Sequence, residues 1–142
     1  MTRRVFREHC LRMMFCISFY EEEEERIEQI ERYLELEEEA EEEAFLVEAI
    51  ELSERAELKE RMKDIIGSIS YIDEKLAKVT TGWSLKRIGR VELSILRIAC
   101  YEMNFDSNIV ASIAINEAVE LAKKYAGDEA HSFVNGVLAK LV

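Results

Sequence analysis

The sequence predicts an all-α protein, a compact helical bundle of about seven helices. The 142 residues include no proline and only five glycines, too few turn formers for the many short strands of a β-sandwich or barrel. Apolar residues recur at three- and four-residue spacing along most of the chain, the period of a helix with one buried face. Hydrophobic residues make up 49% and charged residues 35%, too apolar for a disordered chain and too charged for a membrane protein. No strand–helix alternation and no repeat of fixed period interrupts this pattern.

Residues 3–20 read as the first helix, with Phe6, Cys10, Met13, Met14 and Ile17 on one face and Arg3, Arg4 and Arg7 in an arc beside it. Phe15 falls near the side of Arg4. Residues 21–63 are dominated by glutamate. Ile27, Ile30 and Leu34 keep one helical stripe there, and Phe45, Leu46, Ala49, Ile50 and Leu52 another. Between them Glu37–Glu43 has one alanine among glutamates, low-complexity sequence that reads as the least ordered internal stretch. A long amphipathic helix over 57–79 follows, buried through Leu58, Met62, Ile65, Ile66, Ile69, Ile72, Leu76 and Val79. Thr80-Thr81-Gly82 ends it, with Gly82 suited to a C-cap.

Ser84 is placed at the start of the next helix, whose apolar positions are Leu85, Ile88, Leu93, Ile95, Leu96, Ala99 and Met103. Asp106-Ser107-Asn108 breaks it with capping side chains. Residues 109–125 form another helix ending at Gly127, and Asp128 is expected to cap the last, with its stripe at Phe133, Val134, Val137, Leu138 and Leu141. The expected core includes Ile65, Ile69, Ile72, Ile95, Leu96, Ala118, Ala122, Val134 and Leu138. The loops are short, so neighbouring helices are expected to run antiparallel. The long acidic segment divides an N-terminal group of helices from a C-terminal group.

The net charge of −11 is unevenly spread. Residues 1–20 carry +3, residues 21–63 carry −13 and residues 64–142 carry −1. The acid is concentrated in one segment, so a basic patch elsewhere stays compatible with a nucleic-acid partner. Cys10, Cys16 and Cys100 are odd in number and lack C-x-x-C spacing, which points to reduced thiols in a cytoplasmic protein rather than a disulfide framework or zinc site. Met13–Tyr20 is an apolar run behind arginines, but it is short, abuts Arg12 and leads into five glutamates, unlike a secretory signal. No stretch approaches the ~20 apolar residues of a membrane span, so no membrane partner is expected.

The sequence contains no phosphate-cradling glycine loop and no nucleophile elbow. The di-metal carboxylate bundle needs Glu-x-x-His on two helices. Here Asp128-x-x-His131 is a single imperfect match, and His9 has Phe6 three residues before it. Neither a catalytic set, a metal nor a cofactor is expected. What stands out is polar residues inside apolar helices: Arg97 and Glu102 in 95–102, Asn116 and Glu117 in 113–123, and Asn135-Gly136 in 133–138. Paired internal polar groups and a close helix approach at Gly136 would explain them structurally. An arginine, lysine and aromatic binding surface would explain them functionally.

The same residues carry a resemblance. Leu-Arg-Ile-Ala-x-Tyr-Glu at 96–102, Ala-Ile-Asn-Glu-Ala-Val-Glu-Leu-Ala-Lys at 114–123 and Phe-Val-Asn-Gly-Val-Leu at 133–138 resemble the transcription antitermination factor NusB family. Arg7-Glu8 and the helix to Phe15 are similar to its arginine-rich first helix. Ile72-Asp73, Trp83, Arg87 and Arg90 fit the middle of the pattern. Arg12, Val110 and Glu129-Ala130-His131 depart from it. The resemblance implies a single domain of two packed three-helix subdomains, about 1–80 and 83–142, and a non-catalytic protein that binds boxA-type single-stranded RNA. It also implies a heterodimer with a small-subunit ribosomal protein, NusE, acting on ribosomal RNA with the transcription elongation complex. A homodimer in that partner's absence is compatible with it. By resemblance Arg3, Arg4, Arg7, Arg97, Lys123 and Phe133 would bind RNA, and Phe15 and Glu92 would face the ribosomal protein. An acidic adaptor that kept the fold and lost RNA binding is the alternative. The fold also occurs fused to a ribosomal RNA methyltransferase domain, and a methyl-transfer role is not expected of these 142 residues.

Overall fold

The computed structural model describes residues 1–39, 50–80 and 84–142. Among them are six α-helices, one 3-10 turn and no strand: α1 (Arg3–Ile17), α2 (Glu23–Glu39), α3 (Leu52–Val79), the turn Leu85–Arg87, α4 (Arg90–Phe105), α5 (Ala111–Tyr125) and α6 (Ala130–Ala139). The chain groups into two compact units, Met1–Gly67 and Ser68–Val142. The sequence suggests a joint near residues 80–83. The boundary between the two units falls inside α3, with residues 52–67 in the first and 68–79 in the second.

In the first unit, α1 starts where Thr2 Oγ1 accepts the Val5 N–H at 3.1 Å, satisfying one of the first-turn donors. It ends as Ser18 turns back, its N–H reaching the Met14 and Phe15 carbonyls. The expected apolar face is buried, and so are Arg7, Glu8 and His9 beside it. Burial therefore covers more of α1 than one stripe. His9, with no exposed surface, is satisfied by Tyr33 of α2, Nδ1 to OH at 2.8 Å. In α2 the first turn carries Glu23, Glu24 and Glu25, the sign that the positive end of a helix favours. Ile30 and Leu34 are buried as the stripe requires.

The long helix starts at Leu52, earlier than its stripe suggests, and Leu52 itself is 78% exposed rather than part of an apolar face. Phe45, Leu46 and Ala49, most of the Glu37–Glu43 run and the Gly82 cap lie outside the described residues. The early start is held by polar contacts: the Met1 ammonium meets Glu54 Oε2 at 2.6 Å, and Arg55 donates to the Leu34 carbonyl at 3.2 Å. From Leu58 to Leu76 the apolar positions are buried as expected.

In the second unit the single helix expected from Ser84 is broken. Leu85–Arg87 forms one 3-10 turn, and Ile88 and Gly89 are extended, with ψ of 137° and 145°. Extending the backbone here buries Ile88 and lets α4 restart at Arg90. The Glu92 carboxylate, in the first turn of α4, folds against Gly89 where a side chain would otherwise stand. α4 is buried on every side from Ser94 to Glu102 and packs against both α5 and α6. Asp106 Oδ1 accepts the Asn108 N–H at 3.0 Å in the break after it. Gly127 ends the α5 connection with φ of +92°, a conformation that L side chains resist. Asp128 does not cap α6: the helix starts at Ala130 behind Glu129, with no side-chain capping bond. Each of the nine expected core residues is buried.

Candidate nucleic-acid interface

The basic opening of α1 lies in the first unit. Arg3 and Arg4 are exposed, and no acid occupies the first helical turn. The helix dipole and the Arg3 and Arg4 charges favour an anion near this end of α1, where the Glu54 carboxylate already pairs with the Met1 ammonium and Glu57 with Arg3. Arg3 lies 4.1 Å from the Phe6 ring centroid and donates to Glu57 at 2.8 Å. Both partners of that ion pair are about half exposed (53% and 54%), so it is weak enough to be exchanged for a phosphate. Arg7 differs from its neighbours, with 8% of its surface exposed. The sequence groups the three arginines; the structure puts two at the surface and one inside. Phe15, 38% exposed, meets Phe19 edge to face with centroids 5.3 Å apart. Phe19 falls inside the helix predicted over 3–20 but lies beyond the end of α1 at Ile17.

In the second unit Arg97 is buried and grips Asp73 with two prongs of its fork, Nε to Oδ1 at 2.9 Å and Nη2 to Oδ2 at 2.8 Å. This is the internal pairing that a buried cation requires. Lys123 is exposed, 3.5 Å from Glu120. Phe133 is half-buried and lines a hollow of about 250 Å³ with Arg87, Ile88, Gly89, Glu92, Glu129 and Ala130. The structure thus brings together Phe133 and Glu92, which the resemblance assigns to different ligands. Trp83 lies outside the described residues.

A larger open cleft, about 640 Å³, runs between α5 and α6, lined by Ser112, Ile115, Asn116, Val119, His131, Ser132, Asn135 and Gly136. The sequence marks Asn116, Asn135 and Gly136 as unusual but suggests internal pairing and close helix packing. Both asparagines are exposed instead, and a Cβ at Gly136 would meet nothing within 4 Å.

Neither Cys16 nor Cys100 is poised as a nucleophile. Burial pushes the Cys100 thiol up to about 11, against the opposing pull of Lys75, and burial raises Cys16 as well. At neutral pH neither is a ready thiolate. Among the described residues no group of three or more histidine, cysteine, aspartate or glutamate side chains could hold a metal, and no helix is long and apolar enough to cross a membrane.

Helices with a basic opening in one unit, and with aromatic and amide side chains around open hollows in the other, define a helical binding protein. Its relatives are specific. The NusB family model matches residues 4–142. "Transcription antitermination protein NusB" of Lachnoclostridium phytofermentans is 42% identical over 142 residues, covering 100% of this chain and 99% of its own length. The protein of the same description from Clostridium botulinum strain Kyoto is 37% identical over 145 residues, with both chains fully covered. Among solved structures, T. maritima NusB superposes with a TM-score of 0.79 at 26% identity, over 99% of this chain and 90% of that one. A chain in the structure described as "Crystal Structure of a Plectonemic RNA Supercoil" gives 0.77 at 26% identity, over 98% and 92%. The chain belongs to the NusB family, a non-enzymatic one.

Proposed function

We propose that this chain is a cytoplasmic transcription antitermination factor of ribosomal RNA operons. It binds boxA-type single-stranded RNA as a heterodimer with the small-subunit ribosomal protein NusE and joins the transcription elongation complex. The observation that carries this reading is the full-length similarity to relatives named for antitermination. The neighbour described with an RNA supercoil supports the RNA partner, and the basic opening of α1 offers a physical means. Arg3, Arg4 and Lys123 take phosphates. Arg7 and Arg97, each 8% exposed, contribute less than the exposed cations. Phe133 stacks a base.

The net charge of −11 opposes RNA at long range, so the chain alone binds weakly and the ribosomal protein adds charge. About four phosphate contacts on a single strand give a log–log salt slope near −3, a fall in affinity of about fifty-fold between about 50 and 200 mM salt. Arg3→Ala/Arg4→Ala leaves about two contacts, a slope near −1.4 and a fall of about seven-fold. Arg7 is left in place because its burial would mix unfolding into the result. Titration of labelled RNA with the heterodimer at several salt concentrations reads the difference of about 1.4 in slope between parent and variant, since the ribosomal protein's own phosphate contacts add equally to both. A slope unchanged in the double variant removes α1 from the RNA surface. No RNA binding by the parent heterodimer favours the acidic adaptor.

Glu92 faces the ribosomal protein, and Phe15 contributes an exposed ring. Glu92→Lys is expected to slow association with that protein and to reduce its salt dependence, since a basic partner is steered by negative charge. The same change loses a favourable first-turn charge and costs the fold about 0.5–1 kcal/mol, too little to unfold it. Surface plasmon resonance of the parent and variant pairs, beside their thermal melts, separates the two effects. Equal association rates remove Glu92 from the interface.

A further inference from the structure

We infer that the open cleft between α5 and α6 is a base-reading subsite, which takes a nucleobase of single-stranded RNA against Asn116, Asn135 and the bare backbone of Gly136. The inference rests on the reading of this chain as an RNA-binding protein and deepens it.

The cleft's first feature is unused hydrogen-bonding capacity. None of Ser112, Asn116, His131, Ser132 and Asn135 directs its side chain to a hydrogen-bond partner among the described residues. Two amides, an imidazole and two hydroxyls therefore line one cleft with their donors and acceptors available. Each amide presents a carbonyl acceptor beside an N–H donor, the pairing that matches the edge of a base.

The second is charge. No lysine, arginine, aspartate or glutamate lines the cleft. A phosphate would find no cation there. A basic ribosomal protein would find no carboxylate. A base is neutral, polar at its edge and apolar on its face, and Ile115 and Val119 supply an apolar surface among the amides. The volume, about 640 Å³, is in the range of ordinary ligand pockets. The nearest cation continues the same stripe: Asn116, Val119 and Lys123 are spaced i, i+3, i+7 on α5, one face of a helix. Lys123 is exposed, placed for the phosphate that follows the base.

The third is Gly136. A glycine within a helix is costly relative to alanine. Here no neighbour needs the space, since a Cβ would meet nothing within 4 Å. Internal packing does not explain this glycine, whereas a flat ring laid on the helix backbone does. Gly67 of α3 is equally open and lies outside the cleft, so it serves as the control.

The test uses the full chain with its ribosomal protein and single-stranded RNAs of about ten nucleotides, all A, all C or all U, a length within the usual site size. The parent is expected to prefer one of the three. Asn116→Ala and Asn135→Ala should each weaken that RNA by about five- to a hundred-fold, the span of one good amide–base pair. They should level the preference and leave the salt slope unchanged. Gly136→Ala should raise the melting temperature yet weaken RNA, and Gly67→Ala should raise the melting temperature alone. In the 15N-labelled protein, the side-chain amides of Asn116 and Asn135 should shift on adding the preferred RNA. A parent that binds RNA while all three cleft variants keep its affinity and preference overturns the subsite and spares the RNA reading. Amide shifts produced by the ribosomal protein and not by RNA make the cleft a protein site, which also overturns it. A parent pair that binds no RNA overturns both.

Discussion

Leu96→Ala is expected to destabilise the fold by about 2–5 kcal/mol, the cost of removing a buried leucine side chain and leaving a cavity. Leu96 has no exposed surface, and it sits in the part of α4 that is buried on every side. α4 packs against both α5 and α6, so no neighbour can close on the gap without shifting against another. That places the cost away from the lower end of the range. Urea unfolding followed by circular dichroism should show the midpoint falling with an unchanged slope, the mark of lost stability rather than a changed denatured state. At about 2–4 °C per kcal/mol for a chain of this size, the melting temperature should drop by about 5–15 °C. A loss under about 1 kcal/mol would mean that α4 is not the centre of the second unit.

Asp73→Ala is expected to cost about 3 kcal/mol. The Arg97 side chain is 10% exposed and its fork is closed on the carboxylate by two bonds of 2.8 and 2.9 Å. Removing the acid leaves a guanidinium in place with no counter-charge, the expensive half of a broken ion pair. The estimate stays at the lower end because Asp73 keeps 27% of its side-chain surface, and water can enter to solvate the orphan. Asp73→Asn retains a hydrogen-bond acceptor and should cost less. The same variants separate the two roles offered for Arg97. Measured below the melting temperature with the ribosomal protein present, Asp73→Ala should lose stability while the salt slope of RNA binding stays near that of the parent. A steeper slope would show that Asp73 restrains a phosphate ligand.

Much of the fold is legible in the sequence because helix periodicity is local. The stripe Leu58, Met62, Ile65, Ile69, Ile72, Leu76 needs only the spacing of its own residues to mark a buried face, and all six are buried. Absent prolines and scarce glycines exclude sheets for an equally local reason, the cost of turns. The family is legible too, since three motifs stand in order within about forty residues. The candidate site is legible in its residue types and less so in its geometry. Arg3, Arg4 and Arg7 share an arc on a helical wheel, yet only the first two are exposed. A wheel gives direction, not what lies in that direction.

The breaks at Ile88-Gly89 and before α6 show the same limit at element boundaries. Ser84 and Asp128 have good capping chemistry, and neither starts an α-helix. Capping contributes about 1 kcal/mol, whereas burying Ile88 is worth a further 1.5–3 kcal/mol by the usual apolar scale, about twice as much. Packing therefore overrides the cap. The sequence by itself determined the helical class, the apolar stripes, the concentration of acid in residues 21–63 and the family motifs. Only the tertiary structure decided which polar residues are spent internally and which are displayed. Arg97 is spent on Asp73, 24 positions away, and His9 on Tyr33, while Asn116 and Asn135 are left open on a cleft. The physical reason is that a polar group in an apolar helix must find a partner or reach water, and which of the two it finds depends on residues distant in the chain.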